Sequence, residues 1–185
     1  MRKNKTRDRI GAGFFGRSEL RDEIARYNEL PVIFNGFLDA RGYGDDTFRI
    51  ECVEKFPGNP IFGDAPTYYF EIIADGANAG YVSLRVGFSR NLYYSGQIGY
   101  TVNARQRGRG YAGRACRLLI PLMRAHGMTK VLITNNPDNT ASRRVCEKLG
   151  AKFLRVVKIP RSHELYKAGD RYKNIFEWDF GASTV

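Results

Sequence analysis

Residues 102–113 read Val-Asn-Ala-Arg-Gln-Arg-Gly-Arg-Gly-Tyr-Ala-Gly, and no strand or helix can run unbroken through that glycine-rich stretch. It divides the chain into two halves with different hydrophobic periods. Before it the pattern is extended. Phe48, Ile50 and Cys52 alternate with polar residues, Tyr68–Ala74 is β-branched and aromatic, Asp75-Gly76-Ala77-Asn78 is a turn, and Gly80–Gly87 is its hairpin partner. Arg90-Asn91 begins a further connection, and Gly96–Val102 is a strand. After the run the pattern becomes helical. A helix is predicted from the glycine turn at Arg107–Gly110 to about His126, kinked at Pro121 and stopped by Gly127. Lys130–Thr134 is a short buried strand, Asn139–Leu149 a second helix closed by Gly150, and Lys152–Ile159 and Tyr172–Phe180 two more strands. An antiparallel meander followed by strand, helix and strands is a mixed α+β order with one crossover.

A strand, a glycine turn and a helix start, in that order, make an anion site. The first backbone N–H groups of a helix have no internal partner, and the helix dipole adds partial positive charge there. Gly108 and Gly110 let the backbone approach a ligand closely, and Arg105, Arg107, Arg109, Arg114 and Arg117 add full charges with no acidic residue among them. Gly108–Gly113 formally fits the dinucleotide fingerprint G-x-G-x-x-G. Its context argues against a nicotinamide site, because the loop follows a meander and the next strand ends in Thr134-Asn135-Asn136 with no acidic residue for a ribose.

Composition narrows the class further. Hydrophobic residues make up 43% and charged residues 26%, as in ordinary globular chains. No apolar run approaches the roughly 20 residues that cross a bilayer, and no signal-like stretch follows the basic start, so a cytoplasmic protein without membrane partners is expected. Cys52, Cys116 and Cys146 are odd in number and widely spaced, and His126 and His163 are the two histidines; reduced thiols and no metal site follow. The net charge of +11 keeps a nucleic-acid-associated binding protein as the alternative from another class, although no familiar nucleic-acid module is present. Residues 1–45 read as a basic extension, with a short helix from Ser18, its N-cap, to Leu30 before Pro31; residues 46–185 carry the main domain.

The loop resembles the pyrophosphate loop of the GNAT acetyltransferase superfamily, [Gln/Arg]-x-x-Gly-x-[Gly/Ala], filled here by Arg107, Gly110 and Ala112. A second block, Asn139-Thr140-Ala141-Ser142 through Glu147-Lys148-Leu149-Gly150, is similar to the Asn-x-x-Ser…Glu-Lys-Leu-Gly block of the same superfamily. It is nearest the branch with ribosomal-protein N-terminal acetyltransferases. The resemblance runs from Thr47 to Phe180, about three quarters of the chain. It implies a mostly antiparallel sheet flanked by helices, acetyl-CoA as acyl donor, and direct attack of a primary amine on the thioester. The cofactor-binding residues it implies are Val102, Arg107, Gly108, Arg109, Gly110, Tyr111, Ala112, Asn139 and Ser142, with the Val102 backbone polarising the thioester carbonyl and Asn139 bonding the pantetheine arm.

At about 100° per residue the second helix places Ala141, Val145 and Leu149 on an apolar stripe, and Asn139, Ser142 and Cys146 on a narrow third face. Many members carry a tyrosine seven positions after the asparagine to protonate the departing thiolate. Here that position is Cys146, read equally as a proton donor or a packing residue. Several members use a strand glutamate as base where this chain has Gln97, which cannot accept a proton; Glu71, Tyr93, Tyr94 and Tyr172 are the substitutes considered. These two departures keep a non-catalytic acyl-CoA-binding protein as a third reading. Between Lys55 and Thr67 the sequence offers only a Pro/Gly-rich loop where relatives place helices beside the acceptor. The N-terminal extension or a partner subunit, as in a homodimer, is left to supply that wall. The acceptor, a small-molecule or peptide amine, is not specified.

Overall fold

The computed structural model describes residues 17–28, 32, 34–59 and 63–181. Leu30, Pro31 and Pro60 lie outside the described residues, as does the start of the basic N-terminal stretch. Helix α1 (Arg17–Asn28) leads to a five-stranded antiparallel sheet in the order β1 (Gly42–Gly44), β2 (Phe48–Phe56), β3 (Thr67–Ala74), β4 (Ala77–Arg85) and β5 (Ile98–Val102). Helix α2 (Arg90–Ser95) interrupts the connection from β4 to β5. Helices α3 (Tyr111–Leu118) and α4 (Ile120–Ala125) follow, then β6 (Lys130–Asn135), α5 (Thr140–Leu149), β7 (Lys152–Lys158), α6 (Glu164–Lys167) and β8 (Tyr172–Asp179). The last strands form a second antiparallel sheet in the order β6-β8-β7. This is the mixed, mostly antiparallel α+β architecture that the pattern predicts.

Strand alternation builds the main core. Tyr68, Phe70, Ile72 and Ala74 of β3 point to one face, with Phe48 and Ile50 of β2 and Val82 and Leu84 of β4 beside them, all nearly inaccessible. Each large side chain so buried contributes about 1.5–3 kcal/mol. Tyr111, Ala115 and Cys116 of α3, Leu119 between the helices, and Leu122 and Met123 of α4 cover that face. The β3–β4 hairpin closes with two residues, Asp75 at φ 51° and Gly76 at φ 77°, a pair of left-handed positions suited to the right-handed twist of its strands.

A second core lies behind the smaller sheet. There Tyr27 of α1 and Tyr93 and Tyr94 of α2 pack against Leu132, Val157 and Ile175. Glu23 of α1 pairs with Arg155 at 2.5 Å and accepts from the Tyr93 hydroxyl at 3.0 Å, and the Tyr27 hydroxyl donates to Glu177 at 2.5 Å.

Four local expectations change. Ser18 sits inside α1, which begins at Arg17. Residues 90–95, expected as a connection, form α2, with Ser89 as N-cap accepting from Leu92 N–H at 3.2 Å. The predicted kinked helix divides at Leu119 into α3 and α4, with Pro121 in the first turn of α4, where its missing N–H costs nothing. On α5, Ala141 is exposed, and the buried ridge is Cys146 and Leu149 flanked by half-buried Ser142 and Val145. Gly42–Gly44, unread in the sequence, adds an edge strand to β2.

Candidate active site

β5 and β6 run side by side but belong to separate sheets, and Gln97 joins them at one end. Its backbone N–H donates to the Leu132 carbonyl at 2.9 Å, and its side-chain Oε1 accepts from the Leu132 N–H at 2.7 Å. Its Nε2 donates to the Gly87 carbonyl at 3.3 Å. The buried amide thus serves as an extra peptide group, and its hydrogen-bonding capacity is taken up by structure. Beyond it the two strands diverge, leaving Tyr100 and Val102 of β5 on one wall and Asn135 and the start of α5 on the other.

The end of β5 leads into the glycine loop through a short turn at Ala104–Gln106. Gly108 (φ 82°) and Gly110 (φ 78°) both take left-handed conformations, and a Cβ on either would meet nothing within 4 Å. The backbone is therefore bare to a ligand on that side. Gly110 is the N-cap of α3, whose first helical bond runs from Arg114 N–H to the Gly110 carbonyl at 3.1 Å. The N–H groups ahead of Arg114 have no earlier turn to bond to. Arg107 Nε donates to the Val102 carbonyl at 3.1 Å and so ties the loop to the strand end. Arg114 stacks on the Phe48 ring at 4.0 Å, and Arg117 donates to the Lys148 carbonyl at 2.7 Å; with Arg107, three of the five arginines are thus partly structural. Arg105 and Arg109 are exposed.

Across from β5, Asn139 caps α5 by accepting from Ser142 N–H at 3.0 Å. Ser142 Oγ lies 2.9 Å from the Tyr100 hydroxyl, which also reaches the Ser142 carbonyl at 3.4 Å. The same phenol bonds the Cys146 thiol. Asn135 Nδ2 donates to Cys146 Sγ at 3.8 Å, and Asn174 Nδ2 donates to Asn135 Oδ1 at 2.8 Å. Five residues from four elements form one chain of polar contacts: Asn174, Asn135, Cys146, Tyr100, Ser142. Burial pushes the Cys146 thiol up to about 11, against hydrogen bonds from Tyr100 and Asn135 that pull it down. Burial, then the neighbouring Cys146, pushes the Tyr100 phenol far above its usual range.

The sequence-predicted residues separate into two groups. Val102, Arg107–Ala112, Asn139, Ser142 and Cys146 gather around the divergence of β5 and β6. Tyr94, Tyr172 and Glu71 lie apart from it. Tyr94 is 2% exposed in the second core, stacked edge-on against Tyr93 and His163, and burial raises its phenol. Tyr93 is equally enclosed and bonds Glu23. Tyr172 opens β8 opposite Lys158 and is 47% exposed. Glu71 lies between Glu51 and Tyr81 on the outer face of the larger sheet, with β4 between it and β5. Tyr100 was missed. Its alternation with Ile98 and Val102 marks it as inward-facing, but nothing local pairs it with Ser142, 42 residues on.

On the outer face, beside α2, a cavity of about 170 Å³ is lined by Asp64, Thr67, Tyr69, Arg85, Asn91 and Glu164 among others. Arg85 Nη1 donates to the Gly96 carbonyl at 3.3 Å, which places this cavity next to the start of β5. Among the described residues no helix is long and apolar enough to cross a membrane, and no group of three or more His, Cys, Asp or Glu could hold a metal.

A family model described as an acetyltransferase (GNAT) domain matches residues 51–152. Among solved structures, the apo RimL ribosomal L7/L12 alpha-N-protein acetyltransferase in crystal form I is 13% identical, with a TM-score of 0.55 over 80% of this chain and 99% of that one. The self-immunity acetyltransferase MccE, solved with acetyl-CoA and AMP, is 20% identical with a TM-score of 0.48 over 61% of each chain. Mycobacterium smegmatis RimJ, solved with a CoA disulfide, is 23% identical with a TM-score of 0.48 over 60% of this chain and 52% of that one. The chain thus spans little more than half to three fifths of the length of these last two. No curated protein matches the chain.

Proposed function

The chain belongs to the GNAT acetyltransferase family, and from that premise we propose that it transfers the acetyl group of acetyl-CoA to a primary amine. The observation that carries the reading is the pairing of two features at one place. An anion loop with two bare left-handed glycines stands at a helix N-terminus, and directly beside it two strands diverge around a polar network.

The residues present fit acetyl-CoA. The N–H groups at the start of α3 and the guanidinium groups of Arg105, Arg107 and Arg109 suit its diphosphate. Gln106 Oε1, buried without a hydrogen-bond partner among the described residues, suits an amide N–H such as those of the pantetheine arm. Asn139 uses Oδ1 on its own helix and keeps its Nδ2 as a donor. Val102 ends β5 beside the loop, which supports taking its backbone as the partner of the thioester carbonyl. The chemistry that remains for the protein is orientation of amine and thioester, charge stabilisation on the carbonyl oxygen, and proton management.

For the acceptor, the cavity beside α2 is the favoured entrance. Its two carboxylates, Asp64 and Glu164, suit a protonated amine, and Arg85 between them and β5 suits an anionic group on the same molecule. This local pattern is more specific than the overall net charge of +11. Residues 1–45 are proposed to act as an extension of the domain at 46–185. Within it, α1 packs on the smaller sheet and β1 extends the larger one.

The reading is tested by a thiol-release assay with acetyl-CoA and a panel of small amines, lysine side chains and peptide N-termini. At least one class must give amine-dependent release that falls in Arg107→Ala. Release no faster than without amine across the panel would favour the acyl-CoA-binding protein without turnover.

A further inference from the structure

Resting on the acetyl-transfer reading, we propose that the Tyr100 hydroxyl protonates the departing coenzyme A sulfur. The groups with a transferable proton that meet between β5 and α5 are the Tyr100 phenol, the Ser142 hydroxyl and the Cys146 thiol. Cys146 has no exposed surface, and its sulfur is turned into the network, held between Tyr100 and the Asn135 amide. Tyr100 is only partly covered and rises from the opposite wall, on the face of β5 that also carries Ile98 and Val102. On the acetyl-transfer reading the thioester carbonyl lies at the Val102 end of that strand. The phenol therefore stands two residues from it on the same side of the strand.

Tyr100 is also the best-positioned of the three. Its oxygen is fixed by Ser142 at 2.9 Å and by Cys146, which is itself fixed through Asn135 to Asn174. A phenol so held needs no rotamer search at the moment the sulfur leaves. It stays protonated throughout the neutral range, as a donor must. Ser142, half-buried in the first turn of α5, is next in line toward solvent and can return the proton.

The step balances. The amine nitrogen forms a bond to the carbonyl carbon, the C–S bond breaks, and its electron pair stays on sulfur. Sulfur takes the phenolic proton. Tyr100 regains a proton from solvent through Ser142, and the amine releases one proton to solvent. Amide and free thiol are the products, with no oxidant or reductant.

The test is Tyr100→Phe, which keeps the ring and its packing. General acid catalysis contributes about 10²–10⁴-fold, so kcat should fall by about 10²-fold while coenzyme A affinity, measured by calorimetry, stays close to wild type. A readout independent of turnover is the thiol of bound coenzyme A, titrated by its ultraviolet thiolate absorbance against desulfo-coenzyme A. Loss of a hydrogen bond to the thiolate should raise that pKa by about one unit. Ser142→Ala should give a smaller loss of kcat, since it removes the relay and leaves the donor.

An unchanged kcat in Tyr100→Phe overturns the assignment, as does a loss that merely tracks weakened coenzyme A binding with an unshifted thiol. These outcomes differ from failure of the underlying reading, in which the wild-type chain itself binds no coenzyme A.

Discussion

Asn135→Ala tests whether the polar contacts between β6, β8 and α5 act as one unit. Asn135 and Asn174 are 4% and 3% exposed, so neither side chain has water as a substitute partner. The substitution removes the 2.8 Å bond from Asn174 Nδ2 and the weaker contact to Cys146 Sγ. A neutral hydrogen bond is worth about 1 kcal/mol net, and the orphaned Asn174 amide adds about 1–3 kcal/mol of desolvation, for a loss of roughly 2–4 kcal/mol. At about 2–4 °C per kcal/mol for a chain of this length, Tm should fall by roughly 4–16 °C. Asn174→Ala should cost a similar amount by the reverse argument. The double variant leaves no orphan, so its loss should fall short of the sum by at least about 1 kcal/mol. Urea unfolding of the four proteins measures the cycle. Losses that add to within about 0.5 kcal/mol would show that the two amides act independently, and the connected network would be refuted.

Other consequences can be checked directly. Tyr68 accepts from the Leu38 N–H at 2.7 Å and bonds His126 Nε2 at 2.8 Å in the main core; Tyr68→Phe should therefore cost about 1–3 kcal/mol in urea unfolding and speed amide exchange at Leu38. Glu23→Ala removes one partner of the Arg155 ion pair, whose side chains are 22% and 10% exposed; it should cost about 2–4 kcal/mol and raise amide exchange in α1, and unchanged exchange there would count against the docking of that helix. Alkaline pH should destabilise the fold. The Cys146 thiol lies at about 11 when folded against a usual 9.0, so the unfolded chain loses its proton first, and stability present below pH 9 declines as pH rises through 9 toward 11. For the same reason iodoacetamide near pH 8 should label half-buried Cys52 well before Cys116 and Cys146, as read by mass spectrometry.

Much of this was legible in the sequence where signals are local. The hairpin around Asp75-Gly76, the capped α5 and the glycine turn before α3 each carry their own instruction in a few residues, and those elements appear where the pattern puts them. α2 was hidden because Leu92, Tyr93 and Tyr94 look like strand formers. Their burial against β6 and α1, not propensity, makes them helical, and only the Ser89 cap was there to be read. The apolar stripe of α5 shifted for a related reason. In the sequence Cys146 falls on a narrow face apart from the apolar stripe, as proton donor or packing residue, but in the fold it is buried against Tyr100 and Asn135, and Ala141 is left outside. Tyr100 belongs to the same class of miss, since its partners lie 42 and 46 residues away. Gln97, in contrast, reads from the sequence as a residue that cannot be a base. The structure shows the reason for its amide: it replaces a peptide group at the junction of the two sheets.

Calorimetric titration of the purified chain with acetyl-CoA, and separately with NADH, tests the central claim most directly. The account predicts one acetyl-CoA site per chain, weakened at least about tenfold, or about 1.4 kcal/mol, by Arg107→Ala, and no saturable binding of NADH. Equal binding of both nucleotides would reduce the loop to a general anion site, and binding of neither would contradict the account.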